Sequence, residues 1–243
     1  ATAALSYLPL SIHADIGANQ FVEATAGGVP VINSPGETWG ASWGDLDGDG
    51  DPDLWMGKHQ YTPSALFRNN GNGSFTNVID SAVINAVDHY TDDTHGAAWA
   101  DFDNDGDQDL IEVCGAGAGA VGSDPVISDA WRNNLYVNDG GTLAEDALSY
   151  GEIEYPTGRS RTPLWLDFDT DGWLDFAISA LQSVPEQAPS AVLRQELLGF
   201  FEANAATGFP GGSCQNMMLG HLGPGGEPAL ICGGGSQIQS IHD

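Results

Sequence analysis

Positively charged residues are scarce in this sequence. One lysine, Lys58, and five arginines stand against 34 acidic residues, which gives the 243-residue chain a formal net charge of −28. So strong a negative field repels phosphate groups and argues against nucleic acid and anionic membrane surfaces as partners. No apolar run approaches the roughly 18 residues of a membrane-spanning helix, so we expect no membrane insertion.

Cysteine is nearly as rare, with only Cys114, Cys214 and Cys232. The chain has no C-x-x-C pair and no Cys/His cluster, which argues against zinc and c-type haem. Two arrangements stay open. One is a single disulfide plus one thiol, for which Cys214–Cys232 is the shortest closure, and the other is three buried thiols.

Catalytic signatures are missing as well. The sequence has no H-E-x-x-H pattern, and nothing places its paired acids across a sugar-binding cleft. Residues 117–122 match G-x-G-x-x-G, but Ser123, Asp124 and Pro125 follow where a dinucleotide site needs a helix. We interpret this segment as a loop between strands, and we assign no catalytic residue and no organic cofactor.

Aspartate, in contrast, is abundant and periodic. Three segments, 43–54, 99–110 and 165–176, share the pattern W-x-D-x-D-x-D-G-x-x-D followed by Leu or Phe. Their leading aspartates are 56 and 66 residues apart, and the three segments hold fourteen of the 34 acids. A fourth copy at 219–230 keeps the apolar frame and the central glycine but has lost its aspartates. The chain therefore contains an internal repeat with a period near 60 residues.

Each acidic segment is followed by a second marker with hairpin character. In the first repeat this marker is 66–77, where Asn and Gly separate apolar runs, and its counterparts are 135–143 and 192–202. The first repeat predicts strands at Thr38–Gly44, Asp53–Lys58, Ala65–Asn69 and 74–78. Residues 192–203 look helical alone, but the repeat register predicts strand–turn–strand. Four short strands per unit are typical of β-propeller blades.

The acidic segments have the spacing of a calcium loop. Carboxylates stand at positions 1, 3, 5 and 9, position 7 offers its backbone carbonyl, and glycine at position 6 permits a sharp turn. Calcium prefers six to eight oxygen ligands, whereas magnesium retains water and fits such a cage less well. The alternative is three solvated Asp/Gly turns without metal. An EF-hand needs an acid at position 12 and flanking helices. Position 12 is Met56, Glu112 and Ile178, so only the second loop complies, and its flanks predict strands; we therefore reject the EF-hand.

The repeat resembles the FG-GAP/VCBS class of calcium-binding propeller repeats found in integrin α-subunit heads, in the variety associated with ASPIC/UnbV modules. The resemblance covers roughly residues 21–235 and implies one calcium ion in the hairpin between the first two strands of a blade, about three ions in all. Asp51, Asp107 and Trp173 would contribute backbone oxygen only, and the fourth copy is expected to bind no calcium. The implied metal site residues are Asp45, Asp47, Asp49, Asp51, Asp53, Asp101, Asp103, Asp105, Asp107, Asp109, Asp167, Asp169, Asp171, Trp173 and Asp175.

The resemblance implies an all-β chain that forms a single β-propeller region over residues 1–243. Its blades would be four-stranded antiparallel sheets, with repeats at approximately 21–74, 75–142, 143–200 and 201–243, the last one incomplete. Known closed propellers begin at four blades. We expect a partial propeller cut from a longer chain; the alternatives are four blades closed by residues 1–20, or two chains that share one ring.

The function expected from this resemblance is an extracellular, calcium-stabilised module for binding, adhesion or scaffolding, secreted or periplasmic after removal of a signal peptide. Its partners would be a protein or glycan ligand on a propeller face, or sister subunits. The alternatives are a propeller-based carbohydrate-active enzyme, either lyase or hydrolase, and a segment of a larger extracellular assembly or filament. We expect Trp43, Trp99 and Trp165 to pack between blades. An exposed subset of the other tryptophans, Trp39, Trp55, Trp131 and Trp173, would be able to stack on sugar rings.

Overall fold

The computed structural model describes residues 12–15, 20–23, 38–58, 64–84, 93–115, 132–155, 158–182, 188–197, 199–222 and 227–233. Segment 117–122, Trp131 and most of residues 1–20 lie outside this described part. No helix in the described ranges is long and apolar enough to cross a membrane. The elements are β1 (Ile12–Asp15), β2 (Gln20–Glu23), β3 (Thr38–Gly44), β4 (Asp53–Lys58), β5 (Ala65–Asn69), β6 (Phe75–Asn77), α1 (Ile79–Ala82), β7 (Val83–Ile84), β8 (Thr94–Ala100), β9 (Asp109–Cys114), β10 (Asn134–Asn138), β11 (Leu143–Glu145), β12 (Ser160–Leu166), β13 (Asp175–Ala180), β14 (Ala191–Glu196), β15 (Gly199–Glu202), α2 (Asn204–Thr207), β16 (Asn216–Leu222) and β17 (Glu227–Gly233), with 3₁₀ turns at Ala147–Tyr150 and Glu152–Glu154.

The strands form several separate antiparallel sheets, so the all-β prediction is confirmed. The first sheet is the meander β3-β4-β5-β6, the second is β8-β9-β10-β11, and the third is β12-β13-β14-β15. Strand β7 adds to the second sheet in parallel with β11, which the sequence pattern did not predict. The fourth sheet is the pair β16-β17, and β1-β2 form another pair. No sheet closes on itself within the described ranges.

The strand predictions for the first repeat agree with the structure. Three of the four strands have the predicted bounds, and the fourth is Phe75–Asn77, one residue shorter at each end. The segment with helical appearance forms β14 and β15, with Arg194 opposite Phe201. Strand pairing prevails there because β13 offers β14 a ladder, with Phe176 opposite Leu193, and this outweighs local helix propensity.

The hydrophobic core lies between successive sheets. Strand β8 packs against both β3 and β12, and β12 packs against β16. Neighbouring residues on β9 serve different interfaces because alternate side chains point to opposite faces of a strand: Leu110 packs with Trp55 of the first sheet, and Ile111 packs with Phe176 of the third. The second strands are therefore buried on both faces, which explains their nearly continuous apolar sequence.

The three equivalent tryptophans have different environments. Trp99 lies against Gly44 of the first sheet, and the Nε1 of Trp165 donates to the carbonyl of Ala98 in the second sheet. These two pack between sheets as predicted. The prediction is wrong for Trp43, which is 57 % exposed and has Phe75 as its aromatic neighbour. Among the described residues, no sheet packs against Trp43 as the first sheet packs against Trp99 and the second sheet packs against Trp165.

The other tryptophans divide by exposure. Trp55 is fully buried, so it is excluded from the exposed subset that we expected to contact sugars. Trp39 is 50 % exposed and Trp173 is 45 % exposed. Trp131 lies outside the described residues.

A disulfide joins Cys214 to Cys232, which decides between the two arrangements left open by the sequence. It ties β17 to the segment that leads into β16. Cys114 is buried at the end of β9 and forms no disulfide.

Substitution of Gly44 by alanine is expected to destabilise the chain. A Cβ at this position would lie 2.2 Å from Cγ of Trp99, so the indole must move and part of the junction between the first two sheets must repack. Such overpacking typically costs about 1–3 kcal/mol. The matched control is Gly220→Ala at the equivalent position of the fourth sheet, where the nearest atom is Ile231 Cδ1 at 3.5 Å. Urea unfolding of both variants checks this, and equal losses would contradict the proposed contact.

Candidate metal centres

The three acidic loops occupy equivalent places in the first three sheets. Each connects the first strand to the second, between β3 and β4, β8 and β9, or β12 and β13. In each loop the carboxylates at positions 1, 3 and 9 converge, and one oxygen from each lies within 4.8 Å of the others. Carboxylate oxygens grouped in this way form clusters that can hold a metal ion. The clusters are Asp45, Asp47 and Asp53; Asp101, Asp103 and Asp109; and Asp167, Asp169 and Asp175.

Left-handed backbone at positions 4 and 6 curls each loop around its acids. Glycine at position 6 has φ between 87° and 104°, and position 4 has φ between 60° and 70° whether it is Gly48, Asn104 or Thr170. The left-handed region is strained for the β-branched Thr170. The position 1 carboxylate accepts the N–H of the position 6 glycine, at 3.0 Å in the first loop and 3.1 Å in the others. These contacts hold the position 1 carboxylate on the inside of the turn.

The aspartate at position 9 is a structural brace as well as a candidate ligand. In the second loop Asp109 accepts the N–H of Phe102 at 3.2 Å and that of Asn138 at 2.9 Å. Its counterparts make the same pair of bonds to their own loop and third strand, Asp53 to Leu46 and Asn69, and Asp175 to Phe168 and Gln195. All three are almost fully buried. The spacing alone predicted only the ligand role.

The carboxylate at position 5 of each loop, and that at position 7 of the first two loops, are not among the residues of these clusters. Asp49, Asp105 and Asp171 are exposed, and each accepts the N–H of the residue at position 7. Asp107 accepts the N–H of Gly140 at 2.8 Å. The structure therefore brings together positions 1, 3 and 9 of each predicted ligand set, and leaves positions 5 and 7 on the rim of the loop.

Burial, with a smaller contribution from neighbouring carboxylates, raises the pKa values of several loop acids. Burial is the largest cause and raises the pKa of Asp109 to about 7 and that of Asp175 to about 6. Burial also raises the pKa of Asp53 and of Asp103. Neighbouring carboxylates add to these shifts, whereas the backbone N–H donors oppose them. A bound cation would reverse this balance by favouring the ionised carboxylates.

One oxygen provides a separate test of whether the loops suit a cation. Asp45 Oδ1 is buried and has no hydrogen-bond partner among the described residues, although Oδ2 of the same carboxylate accepts from Gly50. A buried anionic oxygen without a partner is costly. It lies in the cluster formed with Asp47 and Asp53, where a metal ion would satisfy it. The donor set, all hard oxygen, fits calcium or magnesium better than a soft transition metal.

The side chain at loop position 2 ties each loop to the next sheet. Leu46 is buried in the core shared with Tyr136 and Leu143 of the second sheet. Phe102 stacks on Trp165 of the third sheet, with ring centroids 5.8 Å apart and an interplanar angle of 12°. Phe168 packs against the core of the fourth sheet. Each acidic loop is thus part of the junction between two sheets. Whether the loop holds one conformation therefore affects the packing of both sheets.

A separate polar cluster lies at the opposite end of the first strands. Each of these strands has a bulge, and the residues in the bulges include Trp39, His95 and Arg161. Arg161 hydrogen-bonds to Nδ1 of His95, whose Nε2 lies 3.2 Å from Asp93 Oδ1. The ring of Trp39 packs against that of His95 with centroids 4.7 Å apart and planes tilted by 45°. Sequence reasoning missed this cluster because its residue types differ from repeat to repeat. The only sequence feature that indicated this cluster was that all three residues lie near the start of the first strand of their sheet.

Comparison with known proteins supports the FG-GAP resemblance for part of the chain. Residues 57–111 match the family model described as an FG-GAP-like repeat. The match begins in β4, includes the whole second acidic loop and ends in β9. No curated protein matches the chain. FG-GAP repeats are typical of extracellular proteins.

The metal-free protein is expected to become more stable on acidification from about pH 8 to about pH 5. Because the pKa values of Asp109 and Asp175 are raised to about 7 and about 6 in the folded state, the folded chain retains protons that the unfolded chain releases. The free energy of unfolding therefore falls as pH rises through this range. Calcium binds ionised carboxylates, so the stabilisation that it provides should shrink on acidification. Thermal melts with calcium or with chelator across this range measure both trends, and metal-free stability that rises with pH would contradict them.

Proposed function

We propose that this chain is a calcium-stabilised segment of an extracellular β-propeller that serves as a binding, adhesion or scaffold module. The observation that carries the proposal is the threefold repetition of one acidic loop at the junctions between successive sheets. A solvated Asp/Gly turn does not require its carboxylates to converge, nor its ninth residue to be buried.

Calcium suits the loops better than magnesium because it accepts more ligands and irregular geometry. The residues that would hold it are the aspartates at positions 1, 3, 5 and 9, with the backbone carbonyl at position 7. The two outer positions lie on the rim of the loop, and we propose that they complete the ligand set. When bound, the ion would supply the positive charge that the loops lack. The degenerate fourth copy offers no such acids; its central residues 223–226 lie outside the described part.

Metal binding would act on the packing between sheets. The position 2 side chain of each loop is buried in the next interface, and the position 9 aspartate holds the third strand. An ordered loop therefore stabilises two sheets at once. The result would be a rigid stack whose exposed loops and edges hold their shape for a partner.

We propose that the meander sheets are propeller blades. The serial packing of first strands, β3 on β8 and β8 on β12, supports a radial arrangement around those strands. The repeat boundaries at 21–74, 75–142, 143–200 and 201–243 and the ASPIC/UnbV-associated variety are part of this proposal. So are secretion and a protein or glycan ligand, or sister subunits, as partner.

Terbium luminescence tests the metal centres directly. Trp173 stands at position 7 of the third loop, so a Tb³⁺ ion bound there should be sensitised by indole excitation and displaced by calcium. Trp173→Phe should weaken this signal, since the loop keeps its carboxylates but loses the indole at position 7 and retains only Trp165 beside its first aspartate. The control is Trp55→Phe, which changes a buried indole of the first sheet. Absence of calcium-sensitive emission in the native protein would refute the site.

The binding role requires its own experiment. The calcium-loaded chain should bind at least one component of a panel of immobilised extracellular proteins and glycans, and chelator should abolish that binding. Trp39→Ala and Trp173→Ala, which each remove a half-exposed indole, would show whether the ligand stacks on either ring. Binding that persists in chelator would show that the module binds its ligand without calcium.

A further inference from the structure

We propose that the first and second acidic loops bind metal as a coupled pair, joined by Gln108 and the β10–β11 turn at residues 138–142, whereas the third loop is more independent. This inference rests on the proposed calcium function and specifies how the three sites influence one another.

Asn138 touches both loops from a buried position. Its Nδ2 donates to the carbonyl of Leu46 in the first loop at 2.8 Å and to that of Gln108 in the second at 2.9 Å. Its backbone N–H donates to Asp109. The side chain is 2 % exposed, so these bonds are shielded from water. A shift of either loop must therefore be accommodated by the same amide.

The rest of the turn repeats this double contact. The N–H of Gly140 donates to Asp107 of the second loop at 2.8 Å. Gly141 lies on the first loop, so closely that an added Cβ would be 3.2 Å from the Cβ of Asp47. Gly141 has φ of 95° and accepts no side chain without strain. The Gly140-Gly141 pair thus places one short turn against both acidic loops.

Gln108 makes a second bridge that does not pass through the turn. Its Oε1 accepts the N–H of Asp45 at 2.8 Å. Asp45 is a candidate ligand of the first loop, and Gln108 stands directly before the candidate ligand Asp109 of the second. The two loops therefore share three connections: the amide of Asn138, the glycine pair, and the Gln108 side chain.

The second and third loops share fewer connections than the first and second loops do. Leu174 occupies the position of Gln108 in the third loop and has no acceptor for the N–H of Asp101. Gln195 replaces Asn138 and donates from Nε2 to the carbonyl of Phe102 at 3.2 Å. The turn that follows is only two residues long, between β14 and β15, and Leu197 within it is fully exposed. Among the described contacts, one hydrogen bond replaces three connections.

Metal in the second loop would fix Asp107 and Asp109, and hence the turn and Gln108. The first loop would then contact a turn and a Gln108 side chain that are already ordered. It would therefore lose less conformational entropy when it binds its own ion. Coupling of this kind is reciprocal and typically changes affinity by about 5- to 150-fold. We expect the first loop to bind calcium at least about 5-fold more weakly when the second loop cannot bind.

Amide resonances of the position 6 glycines, Gly50, Gly106 and Gly172, report each loop separately in a calcium titration. Asp103→Ala, which disables the second loop, should raise the calcium dissociation constant read at Gly50. Asp169→Ala, the same change in the third loop, should leave it unchanged. In an Asn138→Ala or Gln108→Ala background, which removes one of the three connections, Asp103→Ala should raise the dissociation constant read at Gly50 by a smaller factor. Gln108 is exposed, so its variant serves if Asn138→Ala fails to fold.

Asn69→Ala is the matched control for Asn138→Ala. Asn69 stands at the same position of the first sheet, but its Nδ2 donates to Pro52 of its own loop. Coupling should persist in this variant. If no glycine amide responds to calcium, the proposed function fails and the coupling with it. If all three respond but Asp103→Ala leaves Gly50 unaffected, the loops are independent and only the coupling is refuted.

Discussion

Removal of calcium is expected to lower the unfolding temperature of this chain by more than about 15 °C. Each site filled at a concentration one hundred times its dissociation constant adds about 2.7 kcal/mol of stability, so three sites add about 8 kcal/mol. For a chain of this size, 1 kcal/mol shifts the midpoint by about 2–4 °C. The effect is large because each ion would also release repulsion among buried carboxylates.

Calorimetry in saturating calcium and in chelator measures this difference. Excess magnesium without calcium is the ionic control and should restore only a part of the midpoint. A triple variant, Asp47→Ala, Asp103→Ala and Asp169→Ala, should melt at the same temperature with calcium and with chelator. An unchanged midpoint in the native protein would rule out structural calcium.

Substitution of Asp109 by alanine is expected to destabilise the chain even when no calcium is present. The change removes the acceptor for two backbone donors, the N–H groups of Phe102 and Asn138, in a fully buried place. A buried donor without an acceptor costs about 1–3 kcal/mol, so the expected loss is about 4 kcal/mol. Asp109→Asn should lose less, because one carbonyl oxygen remains and the unfavourable buried charge disappears.

Asp105→Ala is the matched control within the same loop. Its carboxylate is exposed and accepts one N–H, from Asp107. In chelator this variant should stay within about 0.5 kcal/mol of the native protein. In calcium both variants should lose the stabilisation from the second site. Equal losses in chelator would show that position 9 acts as a ligand without a bracing role.

The repeated local pattern is the part of the fold that the sequence made predictable. Short runs such as Asp53–Lys58, which follows Asp51 and Pro52, lie where the strands were expected. The same repetition identified the acidic loops. Their glycines at position 6 have the left-handed backbone that such a turn requires.

Contacts between distant residues were not predictable in this way. The bond from Asn138 to Leu46 joins residues 92 apart, and no local pattern distinguishes that asparagine from Asn69. The role of Asp109 as a brace depends on its burial between sheets. The exposure of Trp43 depends on what packs against β3, whereas the same motif buries Trp99 and Trp165 more deeply. Equivalent sequence positions thus acquire different roles through their neighbours.

The acidic residues of the chain fall into two groups. Fourteen of the 34 acids stand in the three loops, where they would be ligands or braces. The others still greatly outnumber the six cations and keep the surface negative. Arg132 pairs with Glu145 through two short hydrogen bonds, so some of the scarce positive charge is held within the fold.

Native mass spectrometry of the folded chain, exchanged into calcium at saturating concentration, tests the central claim most directly. We expect three calcium ions per chain, falling to two in each of the single variants Asp47→Ala, Asp103→Ala and Asp169→Ala. A chain that retains no calcium, or whose count does not change in these variants, would contradict it.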